Sequence, residues 1–220
     1  LEMDKTDLLK RVVAGELNID LGLLEKGELS TEQRQAVGKL ISTVENKLIV
    51  ADKGGQSVSQ LRSYLIAVQA KRKVEVVVVD YLQLIAASNP KASAYEKVSQ
   101  ISIDLKNLAK EFNVAVVALA QLNRRVDNKL EDKPNASDLR DSGQIEQDAD
   151  VIVMLSRKQS ELDVARDNAI LTKNHADRMA FGSKSLITMD VVKNRHGAVG
   201  MFDSLFDGAF SRVRELPNAR

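Results

Sequence analysis

The 220-residue chain has no cysteine, only three prolines and eleven glycines. Without cysteine it forms neither a disulfide framework nor a thiolate metal site, which fits a reducing compartment. The scarcity of proline and glycine argues against a disordered or collagen-like chain. The longest apolar run, around Val74–Val79, is far shorter than the roughly 20 residues that span a bilayer. No leader with basic and apolar regions opens the sequence. These absences predict a cytoplasmic protein without a membrane partner.

The sequence also lacks an excess of charge of either sign. Lysine and arginine number 32, aspartate and glutamate number 31, and the formal net charge is +1. The chain therefore has no global positive field that would attract nucleic acid. Any contact with a polyanion has to be local, or has to be assembled from several copies of the chain.

The apolar residues alternate between helical and strand-like spacing, which is typical of an α/β domain. The β-branched run Val74–Val79 predicts a strand buried on both faces. A helical apolar face over Val98–Phe112 follows, and Val114–Leu119 predicts a second buried strand. Such a strand–helix–strand unit predicts that the two strands are parallel. We therefore expect one α/β domain with a mostly parallel sheet flanked by helices.

Local signals place most of the other elements. Ser30 and Gln33 form a capping-box pattern that starts a helix running to about Val44, and Ser57 is predicted to cap another helix. The remaining predicted elements are a short strand at Lys47–Ala51, a buried strand at Val151–Leu155, and an antiparallel pair at Ser185–Val192 and Gly200–Phe210 with His196-Gly197 in the turn. A polar loop is expected after Leu122. The stretch Arg157–Lys184 has weak periodicity and no assignment.

Two polar residues follow the first two predicted strands. Asp80 ends the first strand, at the edge where parallel α/β sheets bind ligands. A carboxylate there suits Mg²⁺ beside a nucleoside triphosphate, and the alternative is an aspartate that caps the next turn. Gln121 follows the second strand at the same edge, where its amide could touch a terminal phosphate. Its alternative is an ordinary loop amide bonded to backbone.

Two other segments could contact phosphate groups. Lys193 and Arg195 occupy alternate positions at a predicted strand end, so both project to one side and could clamp a phosphate of a neighbouring subunit. The alternative is a solvated basic turn. The segment Asp138–Asp150 has one arginine, Arg140, against five acidic residues. Ser142-Gly143 could open a helix whose free amides suit a phosphate, and the alternative is a capped acidic helix.

The start of the chain leaves further possibilities open. Glu2 is either a helix N-terminal acid, favoured by the helix dipole, or a general base that orients water. The first residue is Leu1 rather than methionine, so a preceding segment is expected. A phosphate-cradling loop of the form G-x-x-x-x-G-K-[ST] is missing, because the single Gly-Lys pair, Gly38-Lys39, is followed by leucine inside a predicted helix. His175 and His196 lack the spacing of metal ligands.

Several motifs, taken in chain order, resemble those of one protein family. They are Leu1-Glu2-Met3, Val79-Asp80-Tyr81-Leu82-Gln83-Leu84, Leu105 to Glu111, Ala118-Leu119-Ala120-Gln121-Leu122-Asn123-Arg124, Ser137 to Asp150, and Lys193-Asn194-Arg195-His196-Gly197. The sequence resembles the C-terminal motor domain of DnaB-family replicative DNA helicases. The Asp138–Asp150 block is the most specific part of the resemblance. The likeness implies that residues 1–220 form part of a RecA-like domain.

The resemblance implies a role for each residue at the nucleotide. Glu2 matches the catalytic glutamate that activates the attacking water, and Asp80 matches the Walker B aspartate that holds Mg²⁺ through its water shell. Gln121 matches the residue that senses the γ-phosphate of ATP. Lys193 and Arg195 match the pair that reaches across the subunit interface to the neighbour's γ-phosphate.

The resemblance also implies DNA contacts and partners. Arg140, Asp141 and Gly143 match the loop that holds single-stranded DNA in the channel of a homohexameric ring, so six nearly neutral copies could grip one strand together. The family moves 5′→3′ on DNA and unwinds the replication fork. It engages a loader, and it binds primase through an N-terminal domain that this sequence lacks. The expected location is the cytoplasm, at the replisome, or the host cytoplasm for a phage protein.

Departures from the family pattern qualify these expectations. Residue 141 is aspartate where the family usually has glutamate, and Arg157–Lys184 reads as an insertion. The strand that carries the phosphate loop lies mid-sheet in this fold, so a gap between strands is expected in the chain. Two other hypotheses stay open: a non-catalytic partner that keeps the ring interface and the DNA loop, and a RecA-like ATPase of recombination or clock type. The Asp138–Asp150 block disfavours the second of these.

Overall fold

The computed structural model describes residues 3–121, 143–157 and 184–216. The chain divides into two compact units. The first contains Asp52–Ile152 and Val192–Val199. The second contains Met3–Ala51, Val153–Val191 and Gly200–Arg220.

The first unit consists of a strand–helix–strand motif, preceded by one helix and followed by another. Its elements are α4 (Val58–Gln69), β1 (Val76–Val79), a 3-10 turn (Leu82–Leu84), α5 (Ala94–Phe112), β2 (Ala115–Ala118) and α6 (Gly143–Asp148). Capping boxes start α4 at Ser57 and α5 at Ser93, and α5 ends at Asn113 in the left-handed region at φ 51°. β1 pairs with β2 in parallel, with Val76 opposite Ala115. The predicted parallel crossover is confirmed.

The core of the first unit lies on one face of this sheet. Its buried members are Leu65, Val77, Val79, Leu82, Ile85, Ile101, Leu105, Leu108 and Val114. The opposite face is open, because Val76 is 53% exposed and Val78 64% exposed. The prediction of a strand buried on both faces was therefore wrong for this chain. Helices α4 and α5 supply core residues on one side, whereas Val76 and Val78 lie exposed on the other side.

Because α5 supplies several core residues, a substitution in α5 tests the stability of the first unit. Leu108 is 2% exposed within the core, so Leu108→Ala should lower the free energy of unfolding by about 2–5 kcal/mol through lost burial and a residual cavity. Urea denaturation followed by circular dichroism measures this. Ile66→Ala is the matched control, because Ile66 lies on α4 and is 49% exposed, and its loss should be small. Equal losses for the two variants would contradict this account of the core.

The second unit combines three helices with antiparallel strands. The helices are α1 (Lys5–Leu17), α2 (Leu21–Lys26) and α3 (Thr31–Val44), and α3 begins with the predicted capping box of Ser30 and Gln33. The strands are β3 (Val151–Ser156), β4 (Lys184–Asn194), β5 (Gly200–Asp207) and β6 (Arg212–Glu215). The unit boundaries fall within β3 and β4.

β3 forms at the predicted Val151–Leu155, but Val151, Val153 and Leu155 are 52%, 45% and 55% exposed, so the prediction that this strand is buried was wrong. The other strands confirm one prediction and correct two. β4 and β5 pair antiparallel, with Val191 opposite Gly200, as predicted. The chain turns after Asp207, so β6 adds a further antiparallel strand where one continuous strand to Phe210 was expected. Lys47–Ala51 is not a strand. Its apolar run is short and does not pair with another described segment.

The described strands form two separate sheets. One has the order β1–β2, and the other has the order β3–β4–β5–β6. A parallel sheet, flanking helices and an antiparallel group confirm the predicted α/β class. None of the helices in the described ranges is long and apolar enough to cross a bilayer.

Candidate nucleotide site

The parallel pairing of β1 and β2 brings Asp80 and Gln121 to the same edge of their sheet. Val79 is opposite Ala118, so both chains leave the sheet at this edge. The Leu119 amide donates to the Val79 carbonyl at 2.9 Å, and the Leu82 amide donates to the Leu119 carbonyl at 2.9 Å. The Asp80 side chain is half-buried, and the Asp80–Tyr81 peptide bond is cis. The two predicted residues therefore share one edge, as the sequence indicated.

A third residue, Gln83, holds Gln121 in place. The Gln83 amide nitrogen donates to the Gln121 carbonyl at 3.0 Å, and the Gln121 backbone amide donates to the Gln83 side-chain oxygen at 3.3 Å. One side-chain amide thus pairs with the backbone of Gln121 as a neighbouring strand would. The Gln121 side chain itself is exposed. The sequence pattern gives no indication of this role of Gln83, because a pairing across 38 positions has no local signal.

Asp80 is suited to a hydrated magnesium ion rather than to a protein cage. The described residues contain no group of three or more histidine, aspartate or glutamate side chains that could hold a metal. Mg²⁺ commonly uses one or two carboxylates, with waters and substrate phosphates completing its shell. A single half-buried carboxylate at the carboxyl end of a parallel strand fits that arrangement.

Lys193 and Arg195 both turn toward the carboxyl end of α6. Lys193 is the penultimate residue of β4, and Arg195 is the first residue of the turn that follows. The Lys193 ammonium donates to the Glu146 carbonyl, and an Arg195 guanidinium nitrogen donates to the Gln147 carbonyl at 3.0 Å. The last carbonyls of a helix have no partner within the helix and attract cations. The two side chains reach the same helix end, and the Arg195 side chain is 44% exposed. A role of the pair at a phosphate stays a prediction.

Asp150 joins Arg195 to helix α5. One of its carboxylate oxygens accepts from Arg195 at 2.8 Å, and the other accepts from the Lys106 ammonium at 2.6 Å. The Arg195 backbone amide also donates to the Asp150 carbonyl at 2.8 Å. The Lys106 hydrogen bond, helped by the charges of Lys106, Arg195 and His196, lowers the pKa of Asp150. The carboxylate is therefore charged at neutral pH.

The short helix α6 is fixed to α5 by further contacts. The Ser102 hydroxyl of α5 donates to Asp148 at 2.7 Å, and Ile145 packs against the core cluster. Within α6 itself, the Gln144 amide donates to Asp148 at 2.9 Å. Gly143 is the first residue of α6 and is exposed. Glu2, Arg140 and Asp141 lie outside the described residues, as does most of Arg157–Lys184.

Comparison with known proteins identifies the family. The family described as DnaB-like helicase C terminal domain matches residues 1–215. The chain belongs to this family. The replicative DNA helicase DnaB of Helicobacter pylori is 31% identical over 237 residues, a match that covers 99% of this chain and 49% of that protein. The DnaB of Rickettsia typhi is 32% identical over 219 residues, covering 98% and 44%.

Solved structures agree with this assignment to the DnaB family. One solved ATPase domain superposes with a TM-score of 0.77 at 31% identity, covering 98% of this chain and 72% of that one. The structure of a DnaB-like replicative helicase and its interactions with primase also gives a TM-score of 0.77, at 32% identity, covering 98% and 49%. The fold is that of the RecA-like ATPase domains. The resemblance seen in the motifs is confirmed, and the chain spans about half the length of the curated relatives.

Proposed function

We propose that this chain is the motor part of a replicative DNA helicase that works as a homohexameric ring. The ring hydrolyses ATP between subunits, moves 5′→3′ on single-stranded DNA and unwinds duplex at the fork. The observation that carries the proposal is the family match over residues 1–215. The placement of Asp80 and Gln121 at one sheet edge, with Lys193 and Arg195 on one side of β4, supports it.

Each residue at the nucleotide has a role under this proposal. Asp80 orients a hydrated Mg²⁺, which when bound neutralises charge on the phosphates. Gln121, with its backbone held by Gln83, presents an exposed amide to the γ-phosphate. Glu2 orients the attacking water and accepts its proton. Arg195 and Lys193 stabilise the charge that develops on the γ-phosphate of a neighbouring subunit.

The ring binds DNA because every subunit contributes the same few residues to the contact. Arg140, Asp141 and Gly143 of each subunit hold one stretch of DNA backbone in the channel. A chain of net charge +1 provides little attraction alone, whereas a ring places one Arg140 per subunit around the strand. We include a helicase loader and primase among the partners, primase through an N-terminal domain. The proposed location is the cytoplasm, at the replisome or in the host of a phage.

We also propose that the chain, residues 1–220, is a partial RecA-like domain that works within a longer protein. Its relatives are about twice as long. Val76, Val78 and Val117 are 53%, 64% and 48% exposed on one sheet face, an apolar surface that additional polypeptide would cover.

The isolated 220-residue chain is expected to show no useful Mg-ATPase activity and no unwinding, because its sequence has no phosphate-cradling loop. A steady-state ATPase assay with and without single-stranded DNA measures this, and the longer protein, assayed identically, is the positive control. DNA-stimulated turnover by the isolated chain would contradict the proposal.

The missing phosphate loop also favours a second candidate, a non-catalytic partner that keeps the ring interface and the DNA loop. Sequencing of the gene upstream of Leu1 separates the two. A G-x-x-x-x-G-K-[ST] motif within some tens of codons supports the helicase. A start codon close to Leu1 supports the non-catalytic partner.

A further inference from the structure

Lys193 and Arg195, the two cations that the proposed function places at a neighbour's γ-phosphate, both contact the carboxyl end of α6. Carbonyls of Glu146 and Gln147 accept from Lys193 and Arg195. Asp150, two residues past the helix end, accepts from Arg195 and Lys106. Lys106 is part of α5, and α5 contributes Ile101, Leu105 and Leu108 to the core. Arg195, just after β4, is thus connected to α5 and the core of the first unit through the carboxylate of Asp150.

We propose that Asp150 is a positioning residue that holds Arg195 against α6, so that α6 and the Arg195 guanidinium move together. The inference rests on the proposed function, because it requires that Arg195 act on a neighbour's phosphate. Beyond the proposed function, the inference assigns a role to Asp150 and connects α6, which begins at Gly143, to Arg195.

The geometry lets Arg195 keep these contacts while it binds a phosphate. A guanidinium has five N–H donors. One terminal nitrogen of Arg195 donates to Asp150 at 2.8 Å and the other donates to the Gln147 carbonyl at 3.0 Å. Three donors stay available, and the side chain is 44% exposed. The backbone bond from Arg195 to the Asp150 carbonyl, at 2.8 Å, fixes the base of the side chain. Asp150 therefore orients the guanidinium without blocking it.

The ion pair between Asp150 and Arg195 orients the guanidinium and adds little to the stability of the fold. Asp150 is 49% exposed and Arg195 44% exposed, and ion pairs this open to solvent add little to the free energy of unfolding. Lys106, at 23% exposure, is more enclosed and restrains the second oxygen of Asp150. A carboxylate held by both oxygens has few alternative orientations. The arrangement is typical of a second group that aligns a catalytic side chain.

The link to α6 predicts how DNA affects hydrolysis. α6 has six residues and begins at Gly143, which the proposed function places at the DNA backbone. A shift of Gly143 would move the carbonyls of Glu146 and Gln147, and these carbonyls hold Lys193 and Arg195. Asp150 keeps Arg195 aligned with the helix during such a shift. DNA binding and the position of the guanidinium are coupled through this contact.

The test is Asp150→Asn in the longer protein, because asparagine keeps the volume and removes the charge. We expect DNA-stimulated kcat to fall about tenfold, which corresponds to roughly 1.4 kcal/mol of transition-state stabilisation. The KM for ATP and the affinity for single-stranded DNA should stay within about twofold. D150E, which restores the charge, should recover at least half of the lost kcat. In an R195K background, D150N should change the residual kcat by less than about twofold, because its effect passes through Arg195.

Asp104→Asn is the matched control. It removes the same charge close to Lys106 on α5, where Asp104 accepts from Gln100 at 2.8 Å, and its kcat should equal that of the parent. If D150N and D104N have equal kcat, or if D150E recovers nothing, the positioning role of Asp150 is overturned. A separate R195A variant tests the proposed function. If R195A is inactive while D150N behaves like the parent, only the inference fails; if R195A is fully active, the proposed function fails.

Discussion

Arg195→Ala in the longer protein should lower ATP turnover about a thousandfold, the lower end of the range for arginines that act on a transferred phosphoryl group. The reason is that charge develops on the γ-phosphate as the bond to the leaving group breaks, and a fixed guanidinium stabilises that charge. The KM for ATP should change little, because the interaction is stronger in the transition state than in the ground state. Single-turnover and steady-state hydrolysis measure the two quantities.

The control for Arg195→Ala is Arg62→Ala in the same unit. Arg62 is also half-exposed and also pairs with a carboxylate, since its guanidinium donates to both oxygens of Glu111 at 2.9 and 3.0 Å from one nitrogen. Its position on α4 gives it no proposed role in hydrolysis. Arg62→Ala should therefore retain turnover within about twofold. If the two variants have similar activity, Arg195 does not act on the phosphate.

Mixed rings test whether Arg195 acts on a neighbouring subunit. When Arg195→Ala subunits are mixed with parent subunits, each variant subunit should silence the adjacent nucleotide site. A subunit that carries Asp80→Asn should be silenced at its own site. Rings that combine the two variants should then show activity above that expected from the sum of the separate variants, because some interfaces pair an intact Asp80 with an intact Arg195. Simple additivity would indicate that both residues act within one subunit.

Local sequence signals predicted the elements that local interactions determine. The capping box of Ser30 and Gln33 is closed within four residues, and the same holds for Ser57 and Gln60. The β-branched run that ends at Val79 and the amphipathic α5 together predicted a parallel crossover, and this topology follows from chain connectivity. The strand predicted at Lys47–Ala51 failed because strand formation requires a partner, which a five-residue pattern does not specify.

The apolar pattern of the sequence did not predict features that depend on residues far apart in the chain. Val76 and Val78 have the composition of a doubly buried strand, yet they are 53% and 64% exposed, because the composition of one strand does not specify what covers each of its faces. The bond from Arg195 to Asp150 spans 45 positions, and the bond from Lys106 to Asp150 spans 44. In the sequence, Asp150 is one of five acidic residues in the segment Asp138–Asp150. Only the fold distinguishes it from the others, by bringing two cations to its two oxygens.

Asp80→Asn in the longer protein should lower Mg-ATPase turnover about a hundredfold, because a metal ion at a phosphoryl oxygen is worth several kcal/mol and each ~1.36 kcal/mol is tenfold in rate. Asparagine preserves volume at a half-buried position, so the free energy of unfolding should change little. The half-saturating Mg²⁺ concentration should rise in the same assay, because a neutral amide attracts the hydrated ion less than a carboxylate does.

Asp104→Asn again provides the comparison for Asp80→Asn, since it removes one carboxylate charge from the same unit at a half-buried position of α5. Its turnover and its Mg²⁺ dependence should match those of the parent. A second result separates binding from chemistry: if Asp80 orients the ion, excess Mg²⁺ should recover part of the lost turnover in Asp80→Asn. Loss of turnover with an unchanged Mg²⁺ dependence would instead mean that Asp80 caps the turn after β1, which is the other role that its place at the strand end allows.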